Sequence, residues 1–227
     1  MTIQEAIQNR HAVRKYLDKE IEPETISALK EEVDICNAES GLNIQLVTNE
    51  SFAFSGFMAR YGKFSGVKNY MALVGKPHPE LHEKIGYYGQ RLVIKAQQLG
   101  LNSCWVAVTF SKGKCGAVIN EDEKLVCVIA LGYGATQGVP HKSKPLETLC
   151  QVEGGGDMPD WFRKGMEAAL LAPTAYNQQK FLFTLRENGG VKAQPLSNKK
   201  GYARIDLGIA KYHFEVGTGK EGFKFVV

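Results

Sequence analysis

Arg10, His11, Ala12, Val13 and Arg14 place two guanidinium groups beside an imidazole. The chemistry of such a grouping is anion recognition, because the planar arginine fork can donate two parallel hydrogen bonds to phosphate oxygens. A second basic pair, Lys142 and Lys144 in the run His141-Lys142-Ser143-Lys144-Pro145, alternates so that both ammonium groups of an extended chain point the same way, toward one phosphate. Two uncharged segments complement them. Residues 172–179 contain Pro173, Thr174 and Ala175, whose small side chains let backbone approach a flat ring, and Asn177, which offers a donor and an acceptor. Residues 100–107 carry Trp105, Val106 and Ala107 beyond a helix-ending glycine. Taken singly, these segments read as a solvated basic turn, a charged loop, a helix end and a core tryptophan.

Other chemistries find little support. The five cysteines include no C-x-x-C pair, and His78, His82, His141 and His213 lack metal-ligand spacing, so no metal site is expected. No G-x-S-x-G elbow supports a hydrolase, and no catalytic side chain is assigned. The +4 formal charge is spread over both halves, which argues against a nucleic-acid partner. Hydrophobic residues at 44% and charged residues at 23% suit a folded soluble chain. With no basic-then-apolar leader after Met1 and no membrane-length apolar run, the expectation is a cytoplasmic protein without a membrane partner.

The elements that must position these residues follow from periodicity. Thr2 and Glu5 suggest a capped helix ending near Asn9, and Pro23 opens a second helix with Ile26, Leu29 and Val33 on one stripe. Alternation through Leu42, Ile44 and Leu46 predicts a strand, and residues 70–74 a strand buried on both faces. Leu81, Ile85, Tyr88, Leu92, Ala96 and Leu99 predict the longest helix, closed by Gly100 in a left-handed cap. Inner strands are expected at 104–108 and 125–131. The glycines at 154–156 mark an internal boundary before a helix with Phe162, Met166 and Ala169. Strands at 181–185 and 191–195, a helix with Ile205, Ile209, Tyr212 and Val216, and a last strand in 223–227 complete the chain. This is one domain, 1–227, with 1–150 and 157–227 as its internal halves and a faint helix-loop-strand echo between them.

Together the four segments resemble the FMN-dependent nitroreductase family. Residues 10–14 are similar to its Arg-Arg-Ser-Val-Arg segment, departing at His11 and Ala12; residues 172–179 to its Ala-Pro-Ser-x-x-Asn-x-Gln; Lys142-Ser143-Lys144 to its Lys-Ser-Arg; and residues 100–107 to its Gly-Leu-Gly-x-x-Trp strand. The order is unusual, because the Ala-Pro segment lies beyond residue 150 instead of in the first third. In this the chain is most similar to a small rearranged subgroup first seen in thermophiles.

The resemblance implies an α+β fold with a central, mostly antiparallel sheet flanked by helices. It implies FMN held by Arg10, His11, Ala12, Arg14, Trp105, Val106, Ala107, Lys142, Lys144, Pro173, Thr174, Ala175 and Asn177. It also implies NADH or NADPH as electron donor and ping-pong transfer to a small acceptor such as a nitroaromatic or quinone. In typical members the Ala-Pro segment reaches the flavin from a second subunit. Its displacement here leaves two arrangements open, a monomeric intrachain pseudo-dimer and a homodimer. A flavin-binding carrier or sensor without turnover needs the same cradle and stands as the alternative; a cofactor-free interaction domain is the third reading.

Overall fold

A computed structural model describes residues 1–197, 202–219 and 223–226. Its helices are α1 (Ile3–Asn9), α2 (Pro23–Ser40), α3 (Phe57–Tyr61), α4 (Leu81–Gln98), α5 (Asp160–Leu170) and α6 (Tyr202–Thr218). Its strands are β1 (Gln45–Val47), β2 (Asn69–Gly75), β3 (Asn102–Val106), β4 (Lys124–Gly132), β5 (Cys150–Val152), β6 (Phe181–Leu185), β7 (Val191–Pro195) and β8 (Phe225–Val226). Val227, included in the expected last strand, lies outside the described residues. The chain divides into two compact units, residues 1–2, 9–81 and 91–140 in the first and residues 3–8, 82–90 and 141–227 in the second.

The first unit holds a wholly antiparallel sheet ordered β1-β2-β4-β3. Every residue of β2 is buried, as its unbroken apolar run requires of a strand covered on both faces. Phe54, Phe64, Tyr70, Val106, Phe110 and Val128 belong to its core. The helix before β3 stops at a Schellman motif. Gly100, at φ 82°, donates its N–H to Gln97 O at 3.0 Å, and Leu101 donates to Ala96 O at 2.9 Å.

The second unit holds a mixed sheet, β5-β6-β7-β8, in which β5 runs parallel to β6, β6 antiparallel to β7, and β7 parallel to β8. Its core is aromatic: the Phe183 and Phe214 rings stack at 4.9 Å, and Phe162 meets Phe214 edge-on at 5.4 Å. At Gly86 and Gly208 two helix backbones come into contact. A Cβ on Gly208 would lie 2.0 Å from Glu83 O, and one on Gly86 would lie 2.0 Å from Ile205 O.

Three local expectations shift. Leu42 and Ile44 are buried but precede β1, because the Asn37 side chain takes the place of a strand partner: Ile44 N–H donates to Asn37 Oδ1 at 2.7 Å and Asn37 Nδ2 donates to Ile44 O at 2.9 Å. The strand expected at 104–108 begins and ends two residues earlier, at 102–106. Residues 150–152 form a strand that periodicity did not reveal, and a 3-10 turn with Gly154 and Gly155 at positive φ follows it.

All five cysteines are free, with Cys36, Cys104, Cys127 and Cys150 buried and Cys115 half-buried. Burial pushes the Cys36 and Cys127 thiols up to about 12 and that of Cys150 to about 11. Among the described residues no helix is long and apolar enough to cross a membrane, and no group of His, Cys, Asp and Glu could hold a metal ion.

Candidate functional site

In the first unit, residues 10–16 run as an extended segment beside β3. Val13 N–H donates to Ser103 O at 3.0 Å, and Ala12 and Ser103 form a parallel bridge. The segment therefore lies along the strand that carries Trp105, Val106 and, just past its end, Ala107. Tyr16 fastens its far end. The phenol, kept protonated by burial, donates to Val13 O at 2.7 Å and lies 3.3 Å from Ala130 O on β4. Tyr16→Phe is expected to lower stability by about 1 to 2 kcal/mol, seen as a lower urea midpoint at unchanged slope. An unmoved midpoint would remove the hydroxyl from this anchoring.

A glycine turn closes the segment from the other side. Asn102 Oδ1 accepts the Gly134 N–H at 2.9 Å, and Asn102 Nδ2 donates to Gln137 Oε1 at 3.0 Å. The turn comes so close that a Cβ on Gly138, whose φ is 73°, would stand 2.7 Å from His11 Cβ and 3.1 Å from Ala12 O. His11 Nδ1 is 2.9 Å from Arg10 O; since a carbonyl only accepts, Nδ1 is the donor, and Nε2 is left for other contacts.

The two arginines of this segment differ sharply. Arg14 is exposed, with its guanidinium 5.9 Å from the Phe64 ring centroid. Arg10 is 5% exposed, and its buried Nε has no hydrogen-bond partner among the described residues. Burial lowers the Arg10 guanidinium to about 10, and the group acting against that shift is Cys104, not a carboxylate. Arg10 remains a cation at neutral pH, buried and, among the described residues, without a carboxylate acting on it. Such a group is costly, and an anion from outside the chain would complete it.

In the second unit the structure joins two of the predicted segments. Gln179, 1% exposed, donates from Nε2 to Lys142 O at 2.9 Å and to Asn177 Oδ1 at 3.0 Å, while its Oε1 accepts the Lys144 N–H at 2.8 Å. Asn177 Nδ2 also donates to Lys142 O at 2.9 Å, and Lys144 Nζ lies 3.4 Å from Gln179 O. Lys142, Lys144 and Asn177 are exposed, and Pro173, Thr174 and Ala175 are half-buried.

A family model described as "Putative TM nitroreductase" matches residues 2–218. The chain belongs to this nitroreductase family. Among solved structures, a protein of Thermotoga maritima described as "a putative nitroreductase" is similar with a TM-score of 0.62 and 23% identity, over 94% of this chain and 82% of that one. A Desulfovibrio desulfuricans protein described as "a putative nitroreductase in complex with FMN" gives 0.54 and 17% identity over 70% of this chain and 99% of its own. A nitroreductase family protein of Streptococcus pneumoniae gives 0.52 and 16% over 65% and 98%. At these identities the likeness is one of fold. A search of curated proteins gave no match. The expected α+β nitroreductase fold, with an antiparallel sheet and flanking helices, is the one observed.

The residues that sequence reasoning did not single out are the fasteners: Tyr16, Asn102, Gly138 and Gln179. Gln179 and Asn102 lie within the family-like segments 172–179 and 100–107 and were visible there as motif positions, but nothing in a single sequence marks them as buried. Tyr16 and Gly138 carry no such signal.

Proposed function

We propose that this nitroreductase-family chain binds FMN and acts as an NAD(P)H-dependent oxidoreductase, passing electrons to a small acceptor such as a nitroaromatic or quinone in alternating half-reactions. The observation that carries the reading is Arg10, a buried guanidinium with an unpartnered Nε on the segment similar to the family's phosphate contact. That orphaned donor fits a phosphate, and FMN is the ligand of the Desulfovibrio desulfuricans relative. When bound, the isoalloxazine supplies the redox chemistry, and the protein binds and orients it.

The chain's own residues then have distinct tasks. Arg10 supplies the desolvated positive charge for the phosphate, where charge-assisted bonds are strongest. His11 Nε2 and the exposed Arg14 offer further polar contacts; Arg14, if set near the flavin N1 and O2, stabilises the charge that develops there on reduction. Trp105, Val106 and Ala107 provide the strand along which residues 10–14 are laid. Lys142, Lys144, Pro173, Thr174, Ala175 and Asn177, on the second unit, form a further group of proposed cofactor contacts.

The absorption spectrum of the purified protein tests the reading. Flavin bands that bleach on anaerobic addition of NADPH or NADH, then return with a nitroaromatic or quinone, are the expected result. Bound flavin inert to both nicotinamides would replace the enzyme with a carrier or sensor. A colourless protein that takes up no added FMN would end the proposal.

A further inference from the structure

Asp206 lies near the start of α6, is 6% exposed, and accepts the Ala175 N–H with Oδ1 at 3.0 Å and Oδ2 at 3.1 Å. A buried carboxylate disfavours folding in its charged form, and a neutral side chain would fill the same place at lower cost. What it holds explains its presence there. Ala175 opens the 3-10 turn Ala175–Asn177, in which Tyr176 has φ 54° and Asn177 φ 52°; Gln179 follows at φ 46°. Three non-glycine residues in the left-handed region form a strained turn, and such turns persist only where their surroundings hold them. The turn's other ties are local, Asn177 N–H donating to Thr174 O at 3.0 Å and Gln179 N–H to Thr174 Oγ1 at 3.0 Å, or come from the 142–144 loop, whose Lys142 O accepts from Asn177 Nδ2 and Gln179 Nε2. Asp206 is the tie that comes from a helix.

We propose that Asp206 is a positioning residue whose ionised carboxylate holds the 174–179 turn in the conformation that presents Asn177 to the flavin, and whose protonation loosens that hold. The proposal rests on the FMN reading above. Burial raises the carboxyl to about 7, opposed by the Ala175 N–H, so the proton is taken up near neutral pH. The charged and titratable groups on the surrounding elements include His82, Lys84 and Glu83 of α4, the last paired with Lys211, Tyr176 of the turn, Arg204 and His213 of α6, Asp160, Arg163, Lys164 and Glu167 of α5, and Lys142 and Lys144 on the loop tied to Gln179. None of them contributes to the shift. Above the transition the bond to Ala175 is charge-assisted; below it the neutral carboxyl accepts more weakly.

The test follows two signals across pH in wild type, Asp206→Asn and Asp206→Glu. One is the Ala175 amide resonance of the 15N-labelled apoprotein, and the other is FMN affinity by fluorescence titration. In wild type both should move with a shared midpoint near neutral pH, FMN binding about tenfold more weakly on the acid side. Asp206→Asn keeps an acceptor but no charge, so both signals should be flat and affinity should stay at the weak level. Asp206→Glu should restore part of the pH step. In a protein that binds FMN, an Ala175 amide blind to pH, or an affinity step that survives in Asp206→Asn, would overturn the role. A wild-type protein that binds no FMN at any pH overturns the flavin reading and the role together; a titrating Ala175 amide would then leave Asp206 a purely structural tie.

Discussion

Replacing Arg10 with methionine is expected to weaken FMN binding by about tenfold to a hundredfold while leaving the apoprotein at least as stable as its parent. The first effect follows from losing a charge-assisted contact to phosphate, typically about 1.5 to 3 kcal/mol. The second follows from burial. Arg10 is lowered from 12.5 to about 10 by desolvation, which corresponds to a cost on the order of 3 kcal/mol for keeping the cation inside the folded chain. The sign is that of a base depressed by folding. The cost is fully present at every pH below about 10 and fades as the pH rises toward the unfolded value. Methionine fills a similar length without a charge to desolvate, so the cost disappears while some packing is lost. Fluorescence titration with FMN and urea denaturation of the apoprotein separate the two effects. A variant that unfolds more easily and binds flavin as before would make Arg10 a structural residue.

Gly208→Ala is expected to destabilise the protein by roughly 2 to 4 kcal/mol, against the direction that helix propensity alone dictates. In an exposed helix interior, alanine is favoured over glycine by about 1 kcal/mol. Here the new Cβ would stand 2.0 Å from Glu83 O and 2.8 Å from Tyr87 N. Both atoms are backbone, so no side chain can rotate away and one helix must move off the other. Overpacking commonly costs about 1 to 3 kcal/mol and occasionally more; two backbone atoms this close put the cost at the upper end or beyond, about 3 to 5 kcal/mol, which outweighs the propensity gain. At this chain length the midpoint of thermal unfolding should fall by about 5 to 15 °C. Gly113→Ala serves as control, since a Cβ there meets nothing within 4 Å, and it should change stability by less than about 0.5 kcal/mol. Equal melting of the two variants would mean that the helices do not cross as closely as described.

Much of the element pattern was legible because it is local. The continuous apolar run of β2, the stripe of α4 and the Gly100 stop are written in neighbouring residues, and they appear where the spacing put them. β5 was not legible: Cys-Gln-Val has no periodicity, and it becomes a strand only because β6 runs beside it. The separation of the strands into two sheets was hidden for the same reason, as pairing partners lie far apart in sequence. For the candidate site, residue type and family likeness singled out segments but said nothing of their state. That Arg10 is buried with an unpartnered Nε, that Gln179 ties Lys142 to Asn177, and that Asp206 reaches Ala175 all depend on what tertiary structure places opposite them. A charged residue looks the same in sequence whether it is solvated or enclosed.

The distribution of thiols has a practical consequence. Cys36, Cys104, Cys127 and Cys150 are enclosed, and burial holds their thiolate forms out of reach at neutral pH. Cys115 alone is half-buried, beside the Tyr70 hydroxyl that accepts the Gly116 N–H at 2.8 Å. A maleimide dye added to the folded protein is therefore expected to react at Cys115 ahead of the other four. The wild-type chain comes with a built-in attachment point for a fluorescent reporter in its first unit, and no cysteine has to be engineered in or out before labelling.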